Sequence, residues 1–258
     1  MKKCERGEMG TKIAGYRAEL RQRADWKEYI LANSNLPGPR GNLELAEAVF
    51  QEGERDQFLN LIAADSPEIE ENTPQAFALF CGVFGIGKLL SAGDRSHLPL
   101  LKHYANDRRW RVREAVAMAM QKFGLSDMTA LLDEMRGWSK GSWLEQRAVV
   151  AGLCEPALLK DPAAVGEVLA LLDEITAGLT HARDRKDVNF RTLRQALAYG
   201  WSVAAAADLE QGKPAMERWM ISPDPDVRWL MRENLKKNRL IRLDKSWVDQ
   251  WASVLNCV

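Results

Sequence analysis

The feature that most constrains the fold is a single helical stripe within residues 107–123. Apolar side chains recur there with the three- and four-residue spacing of one helix face. These positions are Val112, Val116, Ala119, Met120 and Phe123. Asp107 precedes the stripe as a capping-type residue, and Arg113 follows Asp107 by six positions. The segment therefore predicts an amphipathic helix that opens with an aspartate and an early arginine.

The early arginine recurs along the chain. Arg113, Arg147, Arg191 and Arg228 each fall near the start of a helical pattern, at intervals of 34, 44 and 37 residues. An irregular period of roughly forty residues is typical of HEAT and armadillo repeats. Each repeat is an antiparallel helix pair that completes its core by stacking on its neighbours. We therefore expect an all-α fold, an α-α superhelix in the form of a right-handed solenoid of about five to six HEAT-like helix pairs.

Helical patterns account for most of the chain, and no stretch shows the sustained alternation of a sheet strand. The predicted helices cover residues 12–32, 43–52, 56–63, 74–90, 95–105, 109–123, 126–136, 142–153, 162–178, 187–207, 213–221, 225–237 and 245–256. Residues 1–10 are predicted to be a flexible tail, and residues 11–258 a single repeat domain. Trp201 continues the apolar stripe of Phe190, Leu193 and Leu197, so we expect it in the core.

One segment matches the spacing of a phosphate-binding loop. Residues 82–88 satisfy the pattern GxxxxGK, but Leu89 stands where a serine or threonine would bind magnesium. A phosphate loop also needs a preceding strand, and none is predicted here. The alternative is that the glycines allow two helices to approach closely, and we favour that interpretation.

Charge is balanced overall but unevenly distributed. The 36 basic and 36 acidic residues give no global reason to expect nucleic acid. Residues 44–71 hold nine acids and one base, which predicts a solvated acidic flank. Residues 228–245 hold seven bases and two acids. Arg228, Arg232, Lys236 and Arg239 are spaced so that they share one helix face, which would attract phosphate.

Two further basic clusters lie at residues 108–113 and 183–194. If the inner helices face one concavity, parts of the three clusters could converge on a nucleic-acid backbone. Trp110 and Trp229 could stack on bases or sugars, although packing between repeats explains them as well. The alternative for the arginines is bonding between neighbouring repeats or a solvated surface. The candidate nucleic-acid-binding residues are Trp110, Arg113, Arg147, Arg191, Arg228, Trp229, Arg232 and Lys236.

Several classes of chemistry find no support in the sequence. The four cysteines never form a CxxC pair and the three histidines lack metal-ligand spacing, so no metal and no cofactor is predicted. No nucleophile-base arrangement is recognisable, so an enzyme is not the favoured interpretation. The charged residues 1–10 predict no signal peptide, and we find no apolar stretch of membrane-spanning length. The expected location is cytoplasmic, without membrane contact.

Two short motifs add a family resemblance. They are Trp110-Arg111-Val112-Arg113 and residues 229–238, the latter followed by Trp247-Val248. Over about residues 95–256 the chain resembles the DNA alkylation repair glycosylases, which are built from HEAT-like repeats. The resemblance implies duplex DNA held in a concave groove and excision of alkylated purines. It would place Trp229 at the lesion site and Arg113 on the DNA backbone.

The family's catalytic aspartate follows a pair of tryptophans. The corresponding segment here, residues 70–77, contains neither feature. Cleavage of the glycosidic bond needs a carboxylate that stabilises the developing positive charge. The leading hypothesis is therefore a non-catalytic module that engages the backbone of double-stranded DNA or another nucleic acid. A DNA glycosylase with a displaced carboxylate and a scaffold that binds a protein partner remain as alternatives.

Overall fold

A computed structural model describes the backbone of residues 2–256, without the side chains of residues 2–8 and 256. Every regular element in that range is helical and no strand occurs in it, which confirms the all-α prediction. Contacts between residues divide the chain into two compact units, and the division falls between Phe123 and Gly124. We call the part before this point unit 1 and the part after it unit 2.

Unit 1 contains seven α-helices and one short 3-10 turn among the residues described. They are α1 (Lys2–Arg21), α2 (Lys27–Ala32), α3 (Leu43–Glu52), α4 (Arg55–Ala63), α5 (Pro74–Ser91), the turn Arg95–His97, α6 (Leu98–Ala105) and α7 (Trp110–Ser126), whose last residues enter unit 2. The predicted tail falls on the start of α1. Met1 lies outside the described residues, and the backbone of residues 2–10 is helical.

The sequence predicted one helix where the structure has α1 and α2. The chain breaks at residues 22–26 because the side chain of Trp26 turns back over the end of α1. Its indole nitrogen donates to the carbonyl oxygen of Leu20 at 2.9 Å, and the ring is buried. Asp25 then accepts the backbone N–H of Lys27 at 2.9 Å and opens α2. Both bonds involve side chains, so a periodicity of apolar positions does not reveal them.

Helix α5 is the core helix of unit 1, and α2, α3 and α4 pack around it. Thr73 caps its first turn and Pro74 occupies the first helical position. Its length and apolar composition also meet the requirements of a membrane span, whereas no stretch of that length was predicted from the sequence. In that window, 72% of the helix is buried inside the protein. The burial follows from the three helices that cover it.

The GxxxxGK segment lies inside α5 and not in a loop. A methyl group at Gly85 would overlap the ring of Phe58, and one at Gly87 would lie 2.7 Å from the Cα of Ala119 in α7. Lys88 donates to the carbonyl oxygen of Gly53 at 2.7 Å, so its ammonium group is used within unit 1. These contacts agree with the close-packing interpretation of the glycines, and a strand-loop-helix arrangement is absent from this described segment.

Unit 2 consists of eight further helices among the residues described. They are α8 (Met128–Trp138), α9 (Trp143–Leu153), α10 (Pro162–Thr180), α11 (Val188–Ala207), α12 (Leu209–Met220), α13 (Pro225–Leu235), α14 (Asn238–Leu243) and α15 (Lys245–Asn256). Alternate helices pack side by side, so that α9, α11, α13 and α15 form one row and α8, α10 and α12 form another. Side chains between the rows make the core of this unit.

Helix α11 is the centre of unit 2. Phe190, Leu193, Leu197 and Trp201 are all fully buried, which confirms the predicted core stripe. The indole nitrogen of Trp201 donates to the hydroxyl of Thr176 at 3.0 Å, so the ring carries no unsatisfied donor into the core. The predicted start of the following helix at residue 213 was wrong. Helix α12 begins at Leu209, because Asp208 caps its first turn, and Pro214 lies inside it.

An ion pair that joins α1 to α3 predicts acid sensitivity in unit 1. A hydrogen bond from Arg21 lowers the pKa of Glu52, partial burial raises it and Arg17 lowers it again, so that the pKa falls from 4.5 to about 2. Because the pKa of this carboxyl is lower in the folded protein than in the unfolded chain, its ion pair stabilises the fold at any pH above the unfolded-state pKa. This stabilisation is lost as the pH falls through the pKa of the folded state. We expect Glu52→Gln to lower stability at pH 7 and to remove part of the pH dependence between about 4.5 and about 2.

The measurement is the urea-unfolding free energy of both proteins across this pH window. Glu28→Gln is the control, because Glu28 is exposed on α2 and the substitution removes the same charge. A Glu52→Gln curve that runs parallel to the wild-type curve at every pH would contradict the role of this pair.

Candidate nucleic-acid interface

The basic cluster at residues 108–113 is largely used within unit 1. Arg109 is only 5% exposed, and its guanidinium donates to Asp65 at 2.8 Å and to Asp107 at 2.7 Å. Arg113, a predicted DNA contact, donates to the carbonyl oxygens of Asp107 at 2.6 Å and Arg108 at 2.9 Å. These bonds close the loop that leads into α7. The bonds of Arg113 are local, whereas the bond from Arg109 to Asp65 joins residues 44 positions apart.

The acidic segment 44–71 supplies partners for this cluster. Arg108 donates to the carbonyl oxygens of Pro67 at 2.8 Å and Ile69 at 3.0 Å, and its guanidinium lies 3.8 Å from Glu70. The segment is therefore more than the solvated flank that was predicted.

Burial raises the pKa of Asp107, but its bonds with Arg109 lower it further, so the net shift is downward and the carboxylate stays charged.

The cluster at residues 183–194 is likewise tied to acidic side chains. Arg185 donates to Asp224 at 2.6 Å and to Asp226 at 2.7 Å. Arg194 also pairs with Asp226, and its guanidinium lies 4.3 Å from the ring centre of Trp229. Asp224 caps the first turn of α13. The network thus fixes the start of α13 against α11 and holds the Trp229 ring in place.

A cleft of about 450 Å³ opens between α13 and α15, within unit 2. Its lining consists of Trp229, Arg232, Glu233, Leu235, Lys236, Val248 and Ala252. Three of the predicted nucleic-acid residues, Trp229, Arg232 and Lys236, therefore meet at one place. Their spacing of three and four positions along α13 puts them on one helix face. We call this feature the α13–α15 cleft.

The cations of α13 differ in how they are engaged. Arg228 donates to the carbonyl oxygen of Leu255 at 2.9 Å and so holds the end of α15. Lys236 is exposed and pairs with Glu233 at 2.5 Å. Arg232 is half-buried, and among the described residues no hydrogen bond or ion pair to its guanidinium is found. Arg232 is therefore the cation of the cleft that can donate hydrogen bonds to a phosphate without giving up a partner.

Another pairing of an aromatic ring with cations involves α11, and it was not predicted from the sequence. Tyr199 on α11 is 49% exposed, and the guanidinium of Arg239 lies 4.4 Å from its ring centre. The ammonium of Lys237 lies 5.7 Å from the same ring. Arg191 and Tyr199 are eight positions apart and both exposed, so they share the outer face of α11. The eight-residue spacing of Arg191 and Tyr199 is the sequence pattern from which this exposed face could have been predicted.

The remaining predicted residues are placed separately. Arg191 is exposed on α11, whereas Arg147 is half-buried on α9 and has a contact there. Trp110 is 47% exposed at the start of α7, where Arg111 stacks on it with 4.6 Å between guanidinium and ring centre. Trp110 and Arg113 belong to unit 1 and the other six residues to unit 2.

The segment where the resembled family carries its catalytic aspartate has structural bonds here. Glu71 accepts the backbone N–H of Arg111 at 3.2 Å, and Asn72 accepts that of Gly38 at 3.1 Å. Thr73 caps α5. Glu70 lies beside Arg108. Each polar side chain of residues 70–73 thus has a contact that explains its presence without catalysis.

The two described cysteines, Cys81 and Cys154, are buried. Burial raises the pKa of the Cys154 thiol to about 12, although Arg239 lowers it somewhat, and burial likewise raises the pKa of Cys81. Both thiols are therefore protonated and weakly nucleophilic at neutral pH. Over the described residues, no group of three or more His, Cys, Asp or Glu side chains is placed to hold a metal ion. Cys4 and Cys257 fall outside the described side chains.

Comparisons with protein-family models, curated proteins and solved structures return no match to this chain.

Proposed function

We propose that this protein is a HEAT-like binding module that holds the phosphodiester backbone of double-stranded DNA at the α13–α15 cleft, without catalysis. The observation that carries the proposal is the meeting of Trp229, Arg232 and Lys236 in one cleft, with Arg232 lacking a partner among the described residues. The solenoid arrangement is part of the proposal. It is supported by the packing of alternate helices in unit 2, because stacked helix pairs bury their apolar faces in this way.

The cleft has the chemistry that backbone binding requires. Phosphate contacts from arginine and lysine supply most of the sequence-independent affinity of DNA-binding proteins. The guanidinium of Arg232 can donate two parallel hydrogen bonds to one phosphate. The Trp229 ring, held from behind by Arg194, offers a flat face against which a sugar or an unpaired base can stack.

The charge balance of the cleft depends on its surroundings. Glu233 offsets one of the two cations in the lining, Arg232 and Lys236, so the lining carries a net charge of plus one. Lys237 and Arg239 follow directly in the chain and add two more positive charges beside Tyr199. A phosphate that approaches Lys236 would compete with Glu233 for its ammonium group. Affinity should therefore be moderate and should fall steeply with salt.

The test is a double substitution in the cleft. We expect Arg232→Gln/Lys236→Gln to weaken duplex binding about tenfold or more at low salt. The slope of log affinity against log salt concentration should also become shallower by about two, because each lost phosphate contact releases about one counterion fewer. Arg228 is left unchanged, because its bond to Leu255 would confound binding with the packing of α15. Fluorescence anisotropy of a labelled short duplex measures both quantities.

The matched control is Lys140→Gln/Lys160→Gln. Both lysines are exposed in unit 2 and neither lines the cleft. This variant also loses two positive charges, so its change in net charge equals that of the cleft variant. Equal loss of affinity in the two double variants would mean that binding follows net charge alone, and the assignment of the cleft would be wrong. Release of a base from an alkylated duplex in the same samples would favour the glycosylase alternative instead.

A further inference from the structure

A second cavity, of about 230 Å³, lies entirely within unit 1. The residues of its wall come from the loop before α3 and from α3, α5 and α7. Phe77 and Phe80 form one side, and their rings are nearly parallel with 6.0 Å between centres. Trp110 forms the outer edge of the cavity, and Leu43 and Met118 complete the apolar lining. We call this the Trp110 cavity.

Arg111 provides the polar part of the Trp110 cavity. One of its terminal nitrogens donates to the carbonyl oxygen of Gly38 at 3.2 Å, and its guanidinium stacks on Trp110. These two contacts fix the guanidinium plane. The Nε–H group is buried and finds no acceptor among the described residues. A buried N–H without a partner is costly, so an acceptor that a bound ligand brings within its reach would remove that cost.

The other charged residues of the cavity define the sign of its ligand. Arg40 lies in the lining and has a long contact of 3.4 Å with Glu44. Glu114 also lies in the lining, and it has a contact of its own. Within the lining itself, two guanidinium groups stand against one carboxylate, and this favours an anionic ligand. Because Glu44 pairs with Arg40, Arg111 is the main cation for that ligand.

We propose that the Trp110 cavity binds a small aromatic carboxylate, with the ring between Trp110 and Phe77 and the carboxylate on Arg111. The volume is below that of pockets for drug-sized ligands, which are about 300–1,000 Å³, so one ring with a short acidic arm is the appropriate size. The planar guanidinium matches a planar carboxylate. This site lies in unit 1 and is independent of the function proposed for the α13–α15 cleft.

Isothermal titration calorimetry of the full chain tests the site, with phenylacetate as the probe. Phenylacetamide has the same ring without the charge, and acetate has the charge without the ring. We expect saturable binding of phenylacetate, binding of the amide weaker by about tenfold or more, and no saturable binding of acetate. Equal affinity for phenylacetate and its amide, or no saturation by phenylacetate at millimolar concentration, would overturn the proposal.

Two variants locate the binding. Arg111→Gln should weaken phenylacetate binding by about tenfold or more and remove the preference over the amide. Met118→Trp should abolish binding of both compounds by filling the cavity, and it keeps the test valid if Arg111→Gln fails to fold. Arg191→Gln, an equal change of charge on the exposed face of α11, should bind as the wild type does. Unchanged affinity in Arg111→Gln or in Met118→Trp would place the binding elsewhere.

Discussion

Replacing Asn234 by alanine is expected to lower the free energy of unfolding of unit 2 by about 3 kcal/mol. The side chain is fully buried in the interface between α13 and α11. Its amide nitrogen donates to the carbonyl oxygens of Leu197 at 2.9 Å and Leu230 at 2.8 Å. Its oxygen accepts the backbone N–H of Ser202 at 2.8 Å. One side chain thus satisfies backbone groups of two helices at once.

The size of the effect follows from what alanine leaves behind. The N–H of Ser202 lies inside the core, where water cannot replace the lost acceptor. Alanine loses three buried hydrogen bonds, each worth about 0.5–1.5 kcal/mol, and the cavity left by the side chain adds to this loss. The loss should appear as a lower urea midpoint in far-ultraviolet circular dichroism.

Asn238→Ala is the matched control, because Asn238 is exposed at the start of α14. Its effect should stay within about 0.5 kcal/mol, as for most surface substitutions. Equal stability of Asn234→Ala and Asn238→Ala would show that the buried amide does not join the two helices.

Replacing Gly87 by alanine is expected to lower the stability of unit 1 by about 2 kcal/mol. The new methyl group would lie 2.7 Å from both the Cα and the carbonyl oxygen of Ala119. Backbone atoms cannot move aside by changing a rotamer, so α5 and α7 would have to separate locally. Separation would also weaken the bond from Ser91 to the carbonyl oxygen of Lys122, now 3.1 Å long.

The same substitution at Gly15 is the control for helix propensity. Gly15 lies in α1, and an added methyl group would meet no atom within 4 Å. Alanine there should be neutral or should stabilise the helix by up to about 1 kcal/mol. A Gly87→Ala protein as stable as the wild type would contradict the close-packing interpretation of the GxxxxGK segment.

Helix positions and core residues were accessible from sequence because they depend on local spacing. The stripe from Phe190 to Trp201 is buried as predicted, and the glycines of α5 lie where a side chain would clash. The helix boundaries that were predicted wrongly depend instead on individual side-chain hydrogen bonds. The break between α1 and α2 depends on the indole of Trp26, and the early start of α12 depends on the cap formed by Asp208.

The partners of the arginines could not be read from periodicity. Arg109 meets Asp65, which is 44 residues away, and Arg185 meets Asp224, which is 39 residues away. Side-chain bonds over such distances depend on how the helices pack. The sequence identified three basic clusters, and the one on the helix of residues 225–237 made the best case for nucleic acid. It could not show that the other two are largely engaged with acids and backbone carbonyls. Only packing distinguishes Arg232, and the prediction that it binds DNA remains to be tested.

The most direct test of the proposed DNA-binding function is the binding of a short labelled duplex by the wild-type protein, measured by fluorescence anisotropy at two salt concentrations. We expect saturable binding at about 50 mM salt and a loss of affinity of about tenfold or more at about 200 mM, because several phosphates are neutralised by the cleft and the cations beside it. Absence of binding even at the lower salt concentration would contradict the nucleic-acid function and would direct the search to a protein partner.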